Sequence, residues 1–158
     1  MFGSDRDTFL RGRRCEIHGL GIGAFVYYRR VVENHKNQII DEIIKVARKV
    51  GAPDETIVGL EEVKNEIQFS KGVKEVKLAI PQSLLVDGHN PLTLLHTALS
   101  KGVHELTDEQ CLELAQTVRL VLADLAERIS QALSDQAELK NAVARLLDAN
   151  RGPIRSPI

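Results

Sequence analysis

The chain has 158 residues, 43% of them apolar and 4% aromatic with no Trp, which is one domain's length with enough aliphatic residues for a single core and excludes a core built on aromatic clusters. A formal net charge of −1 excludes a global field that would draw nucleic acid or an anionic membrane, so such binding needs a local patch. No run approaches the roughly 18 apolar residues of a spanning helix, no apolar leader opens the chain, and two cysteines are too few for a disulfide framework; a cytoplasmic protein with reduced thiols and no membrane contact is expected.

Residues 1–20 mix Arg, Asp and Gly without a clean period, and they read as a flexible basic arm or the remnant of an upstream module. Arg6, Arg11, Arg13, Arg14, Arg29 and Arg30 crowd the N-terminal part, whereas Glu105, Asp108, Glu109, Glu113, Asp124 and Glu127 dominate a later stretch. Two solvated faces that attract one another, within the fold or across a dimer, account for this division.

Over 21–50 the apolar residues Phe25, Tyr28, Val32, Ile39, Ile43, Val46 and Val50 recur at steps of three and four, which predicts one long helix stopped by Gly51 and Pro53. Asp54 can cap a second helix carrying Ile57, Leu60, Val63 and Ile67, and Ser70 a short third one ended by Pro81. The run Leu84–Val86 before Asp87-Gly88 fits a turn of helix or a short extended piece equally well. Asn90-Pro91 sets a capping side chain before a proline at the first helical position, so a helix runs from Pro91 to about Lys101 and Gly102 closes it. Thr107-Asp-Glu-Gln110 is a capping box, and Leu112, Ala115, Val118, Leu122, Leu125, Ile129 and Leu133 then alternate strictly. The pattern extends through Leu139, Val143 and Leu146, with a possible break at Ser134-Asp135, before Gly152-Pro153. The fold expected is therefore all-α, an antiparallel bundle of four or five helices over 21–148, followed by a disordered tail at 149–158.

Four motifs invite chemistry. Gly19-Leu-Gly21-Ile-Gly23 enters a helix and could offer backbone N–H groups to a phosphate, yet it has neither a preceding strand nor a following Lys-Ser/Thr, so an entry turn is favoured. Cys15-Glu-Ile-His18 has the spacing of half a zinc site; with no second pair, no metal and no cofactor is expected. Arg30 and His35 form Arg-x4-His, but on one helix they point about 140° apart, with His35 on the apolar stripe and Arg30 nearly opposite. His35 then reads as a hydrogen-bonded core histidine, and Arg29 with Glu33 as an intrahelical ion pair. His96, Ser100 and His104, at i, i+4 and i+8, share one face while the helix lasts. Two imidazoles beside a hydroxyl could bind phosphate or pass a proton, and the alternative is a helix C-terminus where histidines complement the dipole.

Two blocks, Tyr28-Arg29-Arg30-Val31-Val32-Glu33 and Leu95-His96 through Gly102-Val103-His104, give the chain a resemblance over about residues 21–133 to a bacterial family of the HEPN superfamily. The resemblance implies a HEPN-like helical bundle in which the Arg-Arg-x-x-Glu block packs the core. It also implies that His104 stands at the family histidine, His96 where the family has Arg, and Ser100 near its polar Asn, with Arg30-x4-His35 a coincidental match. Relatives carry a zinc ribbon ahead of this domain, of which Cys15 would be the last trace. The function it implies is RNA-directed, as an RNA-binding or degenerate ribonuclease module in defence or stress, with catalysis by His104, His96 and Ser100 and phosphate contact by Lys101. The other reading of the same residues is a non-catalytic dimerisation or protein-interaction module. A homodimer is expected because Leu114, Val121 and Leu125 add a second apolar face to the last helix.

Overall fold

The computed structural model describes residues 5–65 and 80–152. They form α1 (Arg6–Ile17), α2 (Gly21–Asn34), α3 (Lys36–Lys49), α4 (Asp54–Asn65), α5 (Pro91–Leu99) and α6 (Asp108–Asn150), with single 3-10 turns at Gln82–Leu84 and Val103–Glu105. The fold is all-α: the described residues contain no strand, and a lone bridge pairs Val86 with His89. The short helix predicted from Ser70 falls on residues outside those described, apart from Ile80.

The described residues form six helices, five of them in the bundle expected over 21–148 and the sixth, α1, ahead of it; two departures from the expected elements have local causes. Residues 6–17 are not an arm but a helix packed on α2. Its contact face was hidden in the sequence because its centre is a glycine. A Cβ built on Gly12 would lie 2.6 Å from Tyr28 Cε1, so the missing side chain is what lets the Tyr28 ring reach the α1 backbone, and Phe9 flanks that ring at 5.5 Å between centroids. The long helix expected over 21–50 is two helices joined through His35, whose backbone sits at φ −103° and ψ 9°, in the sparsely populated bridge region. The ladder persists across the join, with His35 N–H donating to Val31 O at 3.1 Å and Ile39 N–H to His35 O at 2.9 Å, so the apolar stripe runs through with a single-residue kink.

Other ends follow the chemistry read from the sequence. Gly51, at φ +71°, terminates α3, and Ala52 N–H reaches back to Ala47 O at 2.9 Å, a glycine C-terminal motif that few other residues adopt without strain. Asn90 Oδ1 accepts from Leu92 N–H at 2.9 Å with Pro91 at the first helical position. Thr107 and Gln110 form the reciprocal capping box.

The core lies where α2, α3, α5 and the first half of α6 meet. Phe25, Tyr28, Ile39, Ile40, Ile43, Leu60, Leu84, Leu92 and Leu95 are fully or almost fully buried, against an α6 stripe of Cys111, Ala115, Val118, Leu122, Leu125 and Ile129. Each buried Leu or Ile contributes about 2 kcal/mol of transfer free energy. Leu112, predicted to open that stripe, is half-buried, and Cys111 takes the place one position earlier. At about 1.5 Å per residue, the 43 residues of α6 span about 65 Å. No break occurs at Ser134-Asp135, and beyond it the helix leaves the core: Leu139, Val143, Leu146 and Leu147 are 60%, 46%, 68% and 57% exposed. Asn150 is still helical, two residues inside the segment expected to be a tail.

Candidate functional site

The helix that should align His96, Ser100 and His104 ends too early to do so. α5 stops at Leu99, and Ser100 is its C-cap, its N–H bonded to His96 O at 2.9 Å and its hydroxyl donating to Thr97 O at 3.0 Å. Gly102 is extended (ψ 131°) and swings the chain into the Val103–Glu105 turn, where His104 is exposed. The i, i+8 register is therefore lost at Gly102, and no hydrogen bond or ion pair links the three side chains. His96 is half-buried on α5, and Lys101 is exposed.

Lys101 belongs to a different feature: an open groove of about 440 Å³ between α5, the turn before it and the first half of α6. Leu94 and Ala98 of α5 and Leu114 and Val121 of α6 make its apolar lining, with Asp87, Lys101 and Thr117 also lining it. Two of the three residues read as a second apolar face, Leu114 and Val121, thus line a groove, while Leu125 is only 1% exposed and belongs to the core. The Asp87-Gly88 pair shapes one end. Both take positive φ, 49° and 77°, and Val86 and His89 exchange backbone hydrogen bonds of 2.9 and 3.0 Å across them, the two-residue turn that Asp-Gly favours. Asp87 and Lys101 have no hydrogen bond or ion pair.

A polar cluster that sequence reasoning missed joins α1, α2 and α6. The Glu16 carboxylate, with its side chain 6% exposed, accepts from Tyr28 Oη at 2.5 Å, from Arg13 Nη1 at 3.0 Å and from Arg119 Nε and Nη2 at 2.9–3.1 Å. Burial works to raise its pKa, but the donated hydrogen bonds from Arg119, Tyr28 and Arg13 outweigh it and hold the carboxyl below its ordinary value. Burial first, and then the Glu16 hydrogen bond, push the Tyr28 phenol well above its own. An ionised carboxylate with three partners has no free lone pair directed at a substrate, so the cluster acts as a clasp between helices. Its residues, more than 100 positions apart in the case of Glu16 and Arg119, carry no local signal that pairs them.

The remaining motifs resolve as structure. Gly21 lies so close to α6 that a Cβ would sit 1.8 Å from Asp108 O, and Asp108 Oδ1 accepts from Ile22 N–H at 2.9 Å. The N-terminus of α2, the candidate phosphate seat, is thus occupied by a carboxylate of the same chain. Cys15 packs toward Gly23, whose Cβ position is 3.0 Å from Cys15 Sγ, and His18 is exposed; the described residues contain no group of three or more metal-ligating side chains. Arg29 and Glu33, which the resemblance set in the core, pair at 2.9 Å on the surface with side chains 41% and 52% exposed; Tyr28, Val31 and Val32 are the members of that block that are buried in the bundle. His35 is 6% exposed, its Nδ1 2.9 Å from Gln38 Oε1 and its Nε2 3.0 Å from Asp5 Oδ2, while Arg30 is exposed. Burial, and after it the Asp108 charge, raise the Cys111 thiol, which leaves it an unreactive core residue. No helix among the described residues is long and apolar enough to cross a membrane.

No family model, no curated protein and no solved structure matches the chain.

Proposed function

We propose that this chain is a non-catalytic helical interaction module that associates with another protein chain through the outer part of α6. One observation carries the reading: Leu139, Val143, Leu146 and Leu147, each between 46% and 68% exposed, lie on a helix that needs none of them for its own core. An apolar stripe in water is a cost that binding a partner removes. The lack of any bond among His96, Ser100 and His104 supports the non-catalytic half. Sedimentation velocity at tens of micromolar tests it: the parent should sediment above monomer mass, and Leu139→Glu with Leu146→Glu should return it to monomer. A monomeric parent that also retains no lysate protein sensitive to those two substitutions overturns the reading.

A second reading, RNA contact, is favoured by a specific observation and by the HEPN-like resemblance. Arg6, Arg11, Arg14 and Arg30 are all exposed on α1 and α2, their side chains have no hydrogen bond or ion pair, and Asp7 is the one exposed acid of α1. Such a patch supplies the local positive field that the net charge lacks. Labelled RNA should then be retained on a filter at about 50 mM salt without being cut, and Arg11→Ala with Arg14→Ala should lower the slope of log affinity against log salt by about 2. Absence of retention at that salt removes this reading.

A further inference from the structure

The outer face of α1 carries exposed aliphatic and unpaired cationic side chains together, and we propose that it seats the chain on an anionic lipid surface, with the helix lying in the headgroup layer. Leu10 and Ile17 stand seven residues apart, so they fall within about 20° of each other around the helix, on a line about 150° from Gly12, where α1 meets Tyr28. They are 38% and 70% exposed, and Leu20, between α1 and α2, is 56% exposed. Arg6 and Arg13 lie about 30° and 50° to one side of that line and Arg14 about 50° to the other. Arg6 and Arg14 are exposed and form no hydrogen bond or ion pair among the described residues, while Arg13 is half-buried beside Glu16. Arginines on both flanks of an aliphatic line suit an interfacial helix, which sinks its apolar side chains among acyl chains while the guanidinium groups reach back to phosphate. This seat is separate from the α6 contact proposed above.

Charge selects the occupant. Asp7, about 70° from the line, is the one exposed acid of α1, and Glu16 is turned inward and held by Arg13, Tyr28 and Arg119, so the face is cationic although the whole chain is not. The chain has no acidic segment of its own to lay over it: residues 66–79 carry Lys71, Lys74 and Lys77 against Glu66 and Glu75, and residues 1–4 and 153–158 carry neither Asp nor Glu. The elements on either side of 66–79 also pack away from α1, α4 on α3, where Lys64 pairs with Asp41, and the Gln82–Leu84 turn on α6. RNA fits the arginines but not the aliphatic line. A phosphate backbone gives Leu10 and Ile17 nothing to pack on, and the one aromatic ring of α1, Phe9, is turned against Tyr28 rather than outward to stack on a base. Neither the even net charge nor the absence of a spanning helix among the described residues opposes such a seat, which needs one local face and no crossing.

Cosedimentation of the full-length chain with vesicles tests the seat. At about 50 mM salt, vesicles of phosphatidylcholine with about a third phosphatidylserine should pellet the parent, and vesicles of phosphatidylcholine alone should not. Each arginine near the surface is worth about fivefold in partition, so Arg6→Ala with Arg14→Ala should weaken binding to the mixed vesicles about 25-fold. Leu10→Ser with Ile17→Ser should weaken it about tenfold or more while leaving RNA retention unchanged. All four side chains point outward, so circular dichroism should show parental helicity for both variants. No pelleting, or equal pelleting on both kinds of vesicle, overturns the inference. A Leu10→Ser, Ile17→Ser variant that pellets as the parent does also overturns it, and with RNA retained through the arginines the face then belongs to RNA. If the parent ignores vesicles but sediments above monomer mass in a way that Arg6→Ala with Arg14→Ala abolishes, the face meets an acidic surface of a second copy and the lipid seat falls.

Discussion

Glu16 shows how a buried charge becomes a structural element when enough donors converge on it. Replacing the carboxylate by an amide leaves one acceptor oxygen for the donors of Arg13, Tyr28 and Arg119 and no charge to hold the two guanidinium groups, which costs about 2–3 kcal/mol for partly buried groups. Because its pKa in the fold lies below its ordinary value, the carboxylate stabilises the protein above the unfolded-state pKa, and that stability is lost as the pH falls through the folded-state one. Glu16→Gln should therefore melt below the parent at pH 7, with a gap that narrows on acidification; a gap that stays constant with pH would show that the clasp is not ionic. Gly21 makes a sharper case. Its absent Cβ would collide with backbone rather than with a side-chain tip, so the two helices must part. Gly21→Ala should cost about 3 kcal/mol or more, read by urea denaturation, whereas Gly88→Ala pays only for φ 77° with nothing within 4 Å, about 1 kcal/mol.

Two helices, α5 and α6, start where local side-chain chemistry says, whereas α1, α2 and α3 have no side-chain cap of their own. The capping box at Thr107 and the Asn90-Pro91 pair are satisfied within the next three residues, so they form irrespective of what packs around them. Thr107→Ala should lower stability by about 1 kcal/mol in thermal melts. The outer half of α6 obeys a different rule: it keeps the apolar period of the inner half, but α2 and α3 do not cover it, so its leucines contribute little to folding. Leu139→Glu should shift stability by less than about 0.5 kcal/mol, whereas Leu125→Ala, the same stripe 1% exposed, should cost about 3 kcal/mol through the cavity it leaves. Chemical denaturation of the two variants side by side separates a stripe that makes the fold from one that the fold does not need.

At the scale of the molecule, the all-α class, the starts of α4 and α5, the caps at Asn90 and Thr107 and the core faces of α2, α3 and α6 were legible in the sequence, because each is set by residues within a turn or two of one another. Periodicity also carried the stripe past Ser134 without saying whether anything lies on it. What the sequence hid depended on proximity between distant residues. α1 went unread since its contact face is a glycine against Tyr28; the kink at His35 is a single-residue departure that leaves the period intact; and the Glu16 clasp pairs side chains whose spacing means nothing along the chain. The candidate site shifted for the same reason. His96, Ser100 and His104 aligned only on the assumption that the helix continued, and the extended Gly102 ended it, while the groove beside Lys101 arose from α5 and α6 meeting at an angle no local pattern encodes. Sequence alone determined the all-α class and the apolar faces of α2, α3 and α6, since those follow from local bonding and period. Tertiary structure alone decided which apolar faces are buried inside the fold and which stay exposed among the described residues, because coverage is a property of neighbours, not of the helix itself.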